Sequence, residues 1–421
     1  MRALLISLLM CWGLALPLRA WAQVQAQPTP AGLPDTAQAA AWLERDPMVL
    51  QAQAALGSAG HGAAALAASS HEWLLKASGQ RRRVRELGSS QEWSLGLERT
   101  LRLGGKAALD RRLGELDQDI ARARLGEARH EAARALAELW LDWQAASAAQ
   151  ALAQQQLALG EANLQVVGKR LRAGDAARLE QGLARSELAE LQRQRSAAAS
   201  RLALARLRLQ RRFAELPAHL PPEAPVLADP AAIATPALDW APRILAESDL
   251  LRTAEGLLQR AELEAARARA DKRPDPTLGL YTASEAFRNE RVVGISLSLP
   301  LGGAYREARL QQALAEVEVA RAALAREREA LELELAGGVA EWDAALTRWQ
   351  LAAQAAGLAG ESAAMLQKAY ALGEGELQAL LLARRQWLEA QRAEQEARVQ
   401  ALRARHRLLI DAHLIWGLEH D

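Results

Sequence analysis

The chain has 421 residues, and 52 Lys and Arg against 51 Asp and Glu give it a formal net charge of only +1. Nucleic-acid binding normally needs a basic surplus, so nucleic acid is not expected as a partner. Its one cysteine, Cys11, lies in an N-terminal apolar run that we expect to be removed, which predicts a mature chain without disulfides.

The N-terminal segment has the pattern of an export signal, which we predict over residues 1–22. Arg2 precedes the apolar run Ala3–Leu16, and the small-residue pattern Ala20-Trp21-Ala22 suits cleavage. The run is too short for a membrane-spanning helix, and no stretch of 18 apolar residues follows it. Residues 23–35, which contain three prolines, are predicted to be a flexible leader.

Residues 36–215 form the first of two similar units. We predict helices at Thr36–Arg45 and Pro47–Ser69, then a strand pair within about 72–103, at Glu72–Gln80 and Gln91–Leu103. The basic segment Arg81–Arg85 between the strands is interpreted as an exposed loop tip, with contact to lipopolysaccharide phosphates as the less favoured alternative.

A long helical hairpin at about 106–214 completes the first unit. Its sequence is rich in Ala, Leu, Glu, Arg and Gln and contains no proline up to Val167. The turn is predicted at Arg170–Asp175, where Gly174 ends one helix and Asp175 caps the next.

A proline-rich link, residues 216–241, leads to the second unit at 242–417. There we predict a helix at Pro242–Ala270, a strand pair at about 277–301 and a long helical hairpin at about 305–417 that turns near Gly373. Residues 418–421 form a C-terminal tail.

The second unit repeats the first about 199 residues later. Gly104-Gly105 reappears as Gly302-Gly303, Trp143 as Trp342, Gly174 as Gly373, and Pro47 is matched to Pro242. An internal duplication of this kind sets the architecture before any local feature does. The fold class predicted is mainly α, with a small sheet portion built from four strands per chain.

The alternation in Val293–Leu301 gives one apolar face and one face of Gly, Ser and Pro. A half-buried soluble sheet has the same pattern, but two isolated hairpins have no apparent core to cover. A membrane barrel resolves this, with Val293, Ile295 and Leu297 facing lipid. In the first unit Arg99 interrupts the apolar face, which predicts that it snorkels or lies below the lipid.

Four strands cannot close a barrel, and an open backbone edge is not tolerated in lipid. Two chains would give eight strands, whose interior side chains fill, whereas three would give twelve and leave a channel. The arithmetic favours a homotrimer.

Taken together, these features resemble the outer membrane efflux protein family, the TolC-type exit ducts of Gram-negative bacteria. The resemblance rests on the duplicated order of helix, strand hairpin, Gly-Gly turn, long helix and Gly turn, and on the proline-rich link. The segments Asp275–Gly279 and Val293–Leu301 look most like the branch that serves heavy-metal cation efflux.

The resemblance implies a trimeric 12-stranded outer membrane barrel continued by a long periplasmic α-helical barrel. It also implies an outer membrane channel of a tripartite efflux system, with a periplasmic adaptor (membrane fusion) protein, an inner membrane pump of the resistance-nodulation-division type and outer membrane lipid as partners. The adaptor would meet the periplasmic tips, for which the residues implied are Leu171, Arg172, Gly174, Asp175, Tyr370, Leu372, Gly373 and Glu374. A gate constriction would fall at Glu374, Glu376 and Leu377.

No catalytic residues, cofactor or metal site are expected. His406, His413 and His420 recur every seven residues, about 10 Å apart on a helix, too far to share one ion. The other histidines are scattered, and Trp140, Trp143, Trp342, Trp349 and Trp387 are interpreted as packing wedges between helices. The alternative functions are an exit duct for drug efflux or type I protein secretion, and a soluble periplasmic coiled-coil scaffold.

Overall fold

The computed structural model describes residues 32–213, 224–232 and 240–418. The predicted signal peptide, most of the leader, most of the proline-rich link and the end of the C-terminal tail lie outside the described residues.

The described helices and strands follow one order twice. In the first unit they are α1 Thr36–Leu43, α2 Pro47–Ala68, β1 Leu74–Val84, β2 Gly88–Thr100, α3 Lys106–Ala173 and α4 Arg178–Arg212. In the second they are α5 Trp240–Glu247, α6 Asp249–Asp271, β3 Thr277–Glu285, β4 Glu290–Ser298, α7 Ala304–Ala371 and α8 Leu377–Asp411. The long helices α3 and α7 have 68 residues each, about 100 Å, and α4 and α8 have 35 each.

The helix predicted at Pro242–Ala270 is in fact two helices. Ser248 has an extended backbone, so the helical conformation of α5 does not continue through it. Its hydroxyl accepts a hydrogen bond from the Leu251 N–H at 3.2 Å and thereby caps the N-terminus of α6. Asp46 caps α2 in the same way. Pro47 therefore begins α2, whereas Pro242 lies in α5, which is the counterpart of α1. The predicted match between the two prolines is wrong, because they belong to helices that are not equivalent in the two units.

Of the basic segment Arg81–Arg85, which was predicted to be a loop tip, only Arg85 lies in the turn. Arg81, Arg82 and Arg83 belong to β1 and pair with Gln91, Ser90 and Ser89 of β2, and the turn comes only at residues 85–87. The ladder runs on to the pair Val84–Gly88. Gly88 has a positive φ of 90°, a conformation that glycine adopts readily and that suits the end of the turn. In β4 the strand ends at Ser298, ahead of Pro300.

The four strands form one antiparallel sheet in the order β1-β2-β3-β4. The central ladder joins the two units, from Trp93 opposite Ser284 to Thr100 opposite Thr277. The expectation of two isolated hairpins is therefore corrected. Within the described chain β1 and β4 are the edges of the sheet, and each has one side without a partner strand.

The helices form a single wall below the sheet. Helix α3 packs against α2 and α4 on one side and against α6 and α8 on the other, and α7 packs against α6 and α8. The order across the wall is α2 with α4, then α3, then α6 with α8, then α7.

The main apolar cluster lies at the middle of the wall, where α1, α5 and the segment after α8 pack on the long helices. It contains Trp140, Trp143, Trp342 and Trp349, and Trp387 covers Gly360. The packing role predicted for these tryptophans is confirmed. In the part of the chain that the structure describes, no helix combines the length and apolarity needed to cross a membrane.

Candidate functional site

The two faces of the sheet differ in chemistry over its whole width. The continuous register aligns Leu75, Leu97, Leu280 and Ile295 in one row on the outward face. Val293 and Ile295 are 81% and 82% exposed, although both are strongly hydrophobic. A sheet that packed on a protein core would cover such side chains, so this face is suited to an apolar medium.

The opposite, inward face carries a polar network. The Ser78 and Ser94 hydroxyls lie 2.7 Å apart, and Gln80 donates to the Glu92 carboxylate at 2.8 Å. Lys76 pairs with Glu98 at 2.6 Å. The polar groups thus lie on the face that a closed barrel would turn towards its lumen.

Two glycines allow Tyr281 and Glu98 to lie flat on the inward face. A Cβ at Gly294 would come within 2.6 Å of the Tyr281 ring, and one at Gly279 would come within 2.6 Å of the Glu98 side chain. The glycines in the predicted Gly/Ser face therefore have a steric role.

The structure shows how Arg99 is accommodated on the apolar face of the sheet. Its guanidinium lies 5.1 Å from the centre of the exposed Trp73 ring, at the end of the sheet nearest the helices. A cation–π contact on the outward face lets the charge stay at the border of the apolar band instead of within it.

Both helical hairpins turn with the same motif at the far end of the wall. The Asp175 N–H donates to the Arg170 carbonyl at 2.9 Å, and the Glu374 N–H donates to the Ala369 carbonyl at 2.9 Å. The residue before each donor is a glycine in the left-handed region, Gly174 at φ 86° and Gly373 at φ 81°. These bonds define a Schellman stop, which fixes both tips.

The two tips meet in a small apolar cluster beneath their turns, formed by Val167, Ala184, Tyr370, Leu377 and Leu380. The Arg170 guanidinium lies 4.7 Å from the centre of the Tyr370 ring. Burial raises the pKa of Tyr370, so its hydroxyl stays protonated and donates to the Glu180 carboxylate at 3.4 Å. This contact joins the two hairpins.

Burial corrects two of the predicted site residues. Tyr370 is only 2% exposed and Leu377 only 3%. Tyr370 therefore supports the tip from below and offers no surface to an adaptor, and Leu377 cannot project into a duct as a constriction. The other tip positions lie at or near the surface, namely Leu171, Arg172, Gly174, Asp175, Leu372, Gly373, Glu374 and Glu376; their predicted roles stay predictions.

The α7 edge of the wall carries exposed apolar side chains at a regular interval. Leu351, Leu358, Met365 and Leu372 are all exposed and follow one another every seven residues. A seven-residue apolar repeat is the seam of a coiled coil. The α2 and α4 edge also exposes large apolar residues, among them Met48, Leu179, Leu204 and Leu207. The wall therefore has an apolar surface at each of its two free edges.

An ionic cluster links α3, α7 and α8 at the middle of the wall. Arg134 donates to Asp411 at 2.8 Å and also pairs with Glu131 and, at 3.4 Å, with Glu127. Arg407 pairs with Glu334. Apart from Glu127, these side chains border a cavity of about 630 Å³ between the three helices.

Glu127 is the strongly perturbed carboxyl of this cluster. Its pKa is raised to about 7, mainly by burial and also by the charges of Glu131, Asp249 and Asp411, whereas the charge of Arg134 acts to lower it. The Asp249 carboxylate lies so close to Gly126 that a Cβ there would be 2.0 Å from its Oδ2. Glycine at this position is what lets α6 begin against α3.

The described histidines that sequence spacing singled out are packed. His406 is buried, and burial together with Arg405 lowers its pKa to about 4, so it is neutral. His413 packs against His130 with ring centres 4.3 Å apart and the ring planes tilted by 50°, a contact that the scattered positions of the histidines in the sequence did not predict. His420 lies outside the described residues. Over residues 32–213, 224–232 and 240–418 no group of His, Cys, Asp and Glu is arranged to hold a metal ion.

Sequence reasoning also missed Arg405, whose fully buried guanidinium lies between the Trp240 and Trp342 rings at 4.9 and 5.3 Å. A helical-wheel count would have flagged it, because it shares the buried stripe of α8 with Leu402 and Leu409.

No protein-family model matches this sequence, and no curated protein matches it significantly. Solved structures do match. The outer-membrane channel OprN is 20% identical and superimposes with a TM-score of 0.75, over 91% of this chain and 90% of that one. The outer membrane protein VceC from Vibrio cholerae is 18% identical, with a TM-score of 0.72 over 90% and 95% of the two chains.

CusC, described as forming a transmembrane channel, has a TM-score of 0.76 at 17% identity, over 91% of this chain and 93% of that one. The chain therefore has the same fold as these solved outer-membrane proteins. The predicted fold class, mainly helical with a small antiparallel sheet, is confirmed at that level, whereas the identities are too low to carry substrate or partners across.

Proposed function

We propose that this protein is one subunit of a homotrimeric outer membrane channel that passively conducts substrates from the periplasm to the exterior. In this proposal the sheets of three subunits form a 12-stranded barrel in the outer membrane, and the helical walls continue it into the periplasm. The channel receives its substrate from a periplasmic adaptor and an inner membrane pump of the resistance-nodulation-division type.

The observation that carries the proposal is that the subunit is open along both edges at two levels. In the sheet, β1 and β4 each have a partner strand on one side only, and the outward face of the sheet is apolar and exposed. In the wall, α7 and the α2–α4 pair expose apolar side chains. Joining the β4–α7 edge of one subunit to the β1–α2 edge of the next satisfies both levels at once, and a ring leaves no edge unpaired.

Three subunits suit a conducting function best. Eight strands, from two subunits, leave an interior that side chains fill, whereas twelve leave room for a passage. The inward strand face, with its serines, glycines and ion pairs, then lines that passage.

We propose cations, heavy-metal cations in particular, as the substrate class. Four carboxylates lie on the inward strand face, at Glu92, Glu98, Glu285 and Glu290, against two cations at Lys76 and Arg82. The excess of negative charge favours cation passage, and the resemblance of Asp275–Gly279 to the cation-efflux branch points the same way.

The adaptor is proposed to bind the exposed part of the tips. Arg172, Asp175, Leu372 and Glu374 lie at the two turns and are all exposed. Glu374 and Glu376 remain the proposed constriction, since both are exposed just after the second turn.

Cysteine cross-linking tests the assembly directly. Ser78→Cys on β1 is combined in turn with Ser296→Cys or Ser298→Cys on β4, all on the inward face, in a chain whose only cysteine lies in the predicted signal peptide. Within one subunit these positions are three strands apart, about 14 Å, beyond the reach of a disulfide. Oxidation in isolated outer membranes should therefore give covalent dimers and closed trimers.

The control is Ser78→Cys alone, which should stay monomeric on denaturing gels. A cross-linked product that stops at the dimer would contradict the trimer. A protein recovered entirely in the soluble periplasmic fraction would favour the alternative function of a coiled-coil scaffold. A deletion strain that fails to export only drugs would favour a drug-efflux duct, and one that retains only a secreted protein would favour a type I secretion duct.

A further inference from the structure

The outward face of the sheet carries cations but no carboxylate among the described strands. The register turns Arg81, Arg83, Arg99 and Arg291 outwards and turns all four strand carboxylates inwards. Two side-chain contacts agree with this facing: Arg81 donates to the outward Ser89 at 3.2 Å, and Arg82 pairs with the inward Glu92 at 3.3 Å. Charge is therefore segregated between the faces, not scattered.

Three of these arginines lie at the end of the sheet farthest from the helices. We call Arg81, Arg83 and Arg291 the outward arginine group. Arg291 is in the same row as Gly79, Trp93 and Ser284, and Arg81 and Arg83 lie two and four residue pairs farther out along the β1–β2 ladder. All three side chains are exposed.

Tryptophans mark the level of this group relative to the apolar band. Trp93 and Trp73 both point outwards and are exposed, Trp93 next to the arginine group and Trp73 at the opposite end of the strands. Barrel proteins place aromatic side chains at the two borders of the hydrocarbon. In the proposed barrel the outward arginine group would therefore lie at the level of the lipid headgroups, outside the hydrocarbon.

Closure of the ring, which is part of the proposed function, would bring the group together. Within a subunit β1 and β4 are the two edges of the sheet, about 14 Å apart. Between subunits they are neighbours in the proposed ring, so Arg291 of one subunit and Arg81 and Arg83 of the next would lie on adjoining strands, at the same end of the barrel and on the same face. Each junction then presents three guanidinium groups above an apolar surface that includes Val293 and Ile295.

We propose that each junction binds the phosphate groups of outer-leaflet lipopolysaccharide. Guanidinium groups bind phosphate through paired, charge-assisted hydrogen bonds, and several of them around one site give geometric selectivity. The apolar surface directly below accommodates acyl chains, so the site fits a phosphorylated amphiphile better than a free phosphate ion. This inference rests on the proposed trimer.

The test uses the purified full-length trimer in a neutral detergent. Its resistance to thermal dissociation is measured with diphosphoryl lipid A, with dephosphorylated lipid A and without lipid. We expect diphosphoryl lipid A to raise the dissociation midpoint and the dephosphorylated form to have little effect. Each of Arg81→Gln, Arg83→Gln and Arg291→Gln should weaken the lipid affinity by about tenfold.

Arg82→Gln is the matched control, because it removes the same charge from the same strand but on the inward face. It should keep wild-type lipid affinity. Equal stabilisation by the two lipids, or equal loss in Arg82→Gln and the outward variants, would overturn the inference while leaving the channel intact. Failure of the wild-type protein to form trimers at all would instead refute the proposed function and the lipid site with it.

Discussion

Glu127 shows how a single buried carboxyl makes stability depend on pH. Its pKa in the folded chain is about 7 against an ordinary 4.5, with burial as the largest cause. Between these values the folded protein keeps the proton and the unfolded chain has lost it. The folded state binds more protons there, so the free energy of unfolding falls as the pH rises through this window.

We therefore expect Glu127→Gln to raise the midpoint of thermal unfolding at pH 8, because it removes a charge that is costly to bury. The gain should be at most about 3 kcal/mol. At pH 5, where Glu127 is already neutral, the variant should unfold at nearly the wild-type midpoint. Circular dichroism at the two pH values measures the difference.

Glu131→Gln is the control for this experiment, since Glu131 contacts the same Arg134 but is largely exposed. It should not reproduce the pH-dependent gain. The same gain at pH 5 and pH 8 in Glu127→Gln would mean that the carboxyl is ionised throughout and that the assigned pKa is wrong.

For single residues, the sequence predicted the structural role correctly where that role depends only on residues nearby in the chain. Gly174 and Gly373 stop helices as expected, because a left-handed residue after a long helix needs only local geometry. Glu127 could not be recognised, since the burial that raises its pKa arises from tertiary packing, and two of the charges near it, Asp249 and Asp411, are distant in sequence. Tyr370 and Leu377 were misassigned for the same reason, because the other hairpin buries them.

Among the secondary-structure elements, α7 has the clearest unfilled contact surface. Its exposed residues Leu351, Leu358, Met365 and Leu372 recur every seven positions. Such a seam in water is unfavourable unless a second helix covers it. The neighbouring subunit is the occupant that the proposed ring supplies.

We expect Leu358→Glu to weaken trimer formation by at least about tenfold in protein concentration, because a carboxylate would be buried in the seam. The subunit itself should still fold, since Leu358 is exposed within it. Native mass spectrometry or analytical ultracentrifugation in detergent measures the oligomeric state, and circular dichroism checks the helix content.

Ala364→Glu is the matched control on the same stretch of helix. Ala364 is also exposed but lies about 120° around the helix from Leu358. It should leave the trimer intact. If both variants dissociate equally, the seam is not the interface, and added charge on α7 is harmful wherever it is placed.

The existence of the long helices was predictable, and their breaks were less so. Proline-free stretches of Ala, Leu and Glu are sufficient to predict α3 and α7, because intrinsic propensity and length agree. The break at Ser248 was missed because the serine cap competes with a sequence that is helical on both sides.

For the molecule as a whole, sequence predicted the faces of the sheet but not its connectivity. Alternation tells which side of a strand is apolar, and that prediction holds for Val293, Ile295 and Leu297. It does not tell which strand is the neighbour, so the β2–β3 ladder between the two units came only from the structure. That ladder joins the two hairpins into one four-stranded sheet, which would supply one third of the proposed 12-stranded barrel.

The inward face of that sheet carries a net negative charge, which should affect the ion selectivity of the proposed channel. Lys76 and Arg82 are paired with Glu98 and Glu92, which leaves Glu285 and Glu290 as the excess negative charge of the strands. Both belong to the β3–β4 hairpin, at the end of the sheet away from the helices. Three subunits would place six such carboxylates around the mouth of the passage.

We expect a trimer reconstituted in a planar bilayer to conduct potassium in preference to chloride, because a ring of carboxylates concentrates cations at the mouth. The double variant Glu285→Gln with Glu290→Gln should bring the permeability ratio down to about 1. Arg83→Gln, which changes charge on the outward face of the same barrel, should leave the ratio unchanged. The reversal potential under a salt gradient measures all three, and a wild-type channel that prefers chloride would show that these carboxylates do not face the passage.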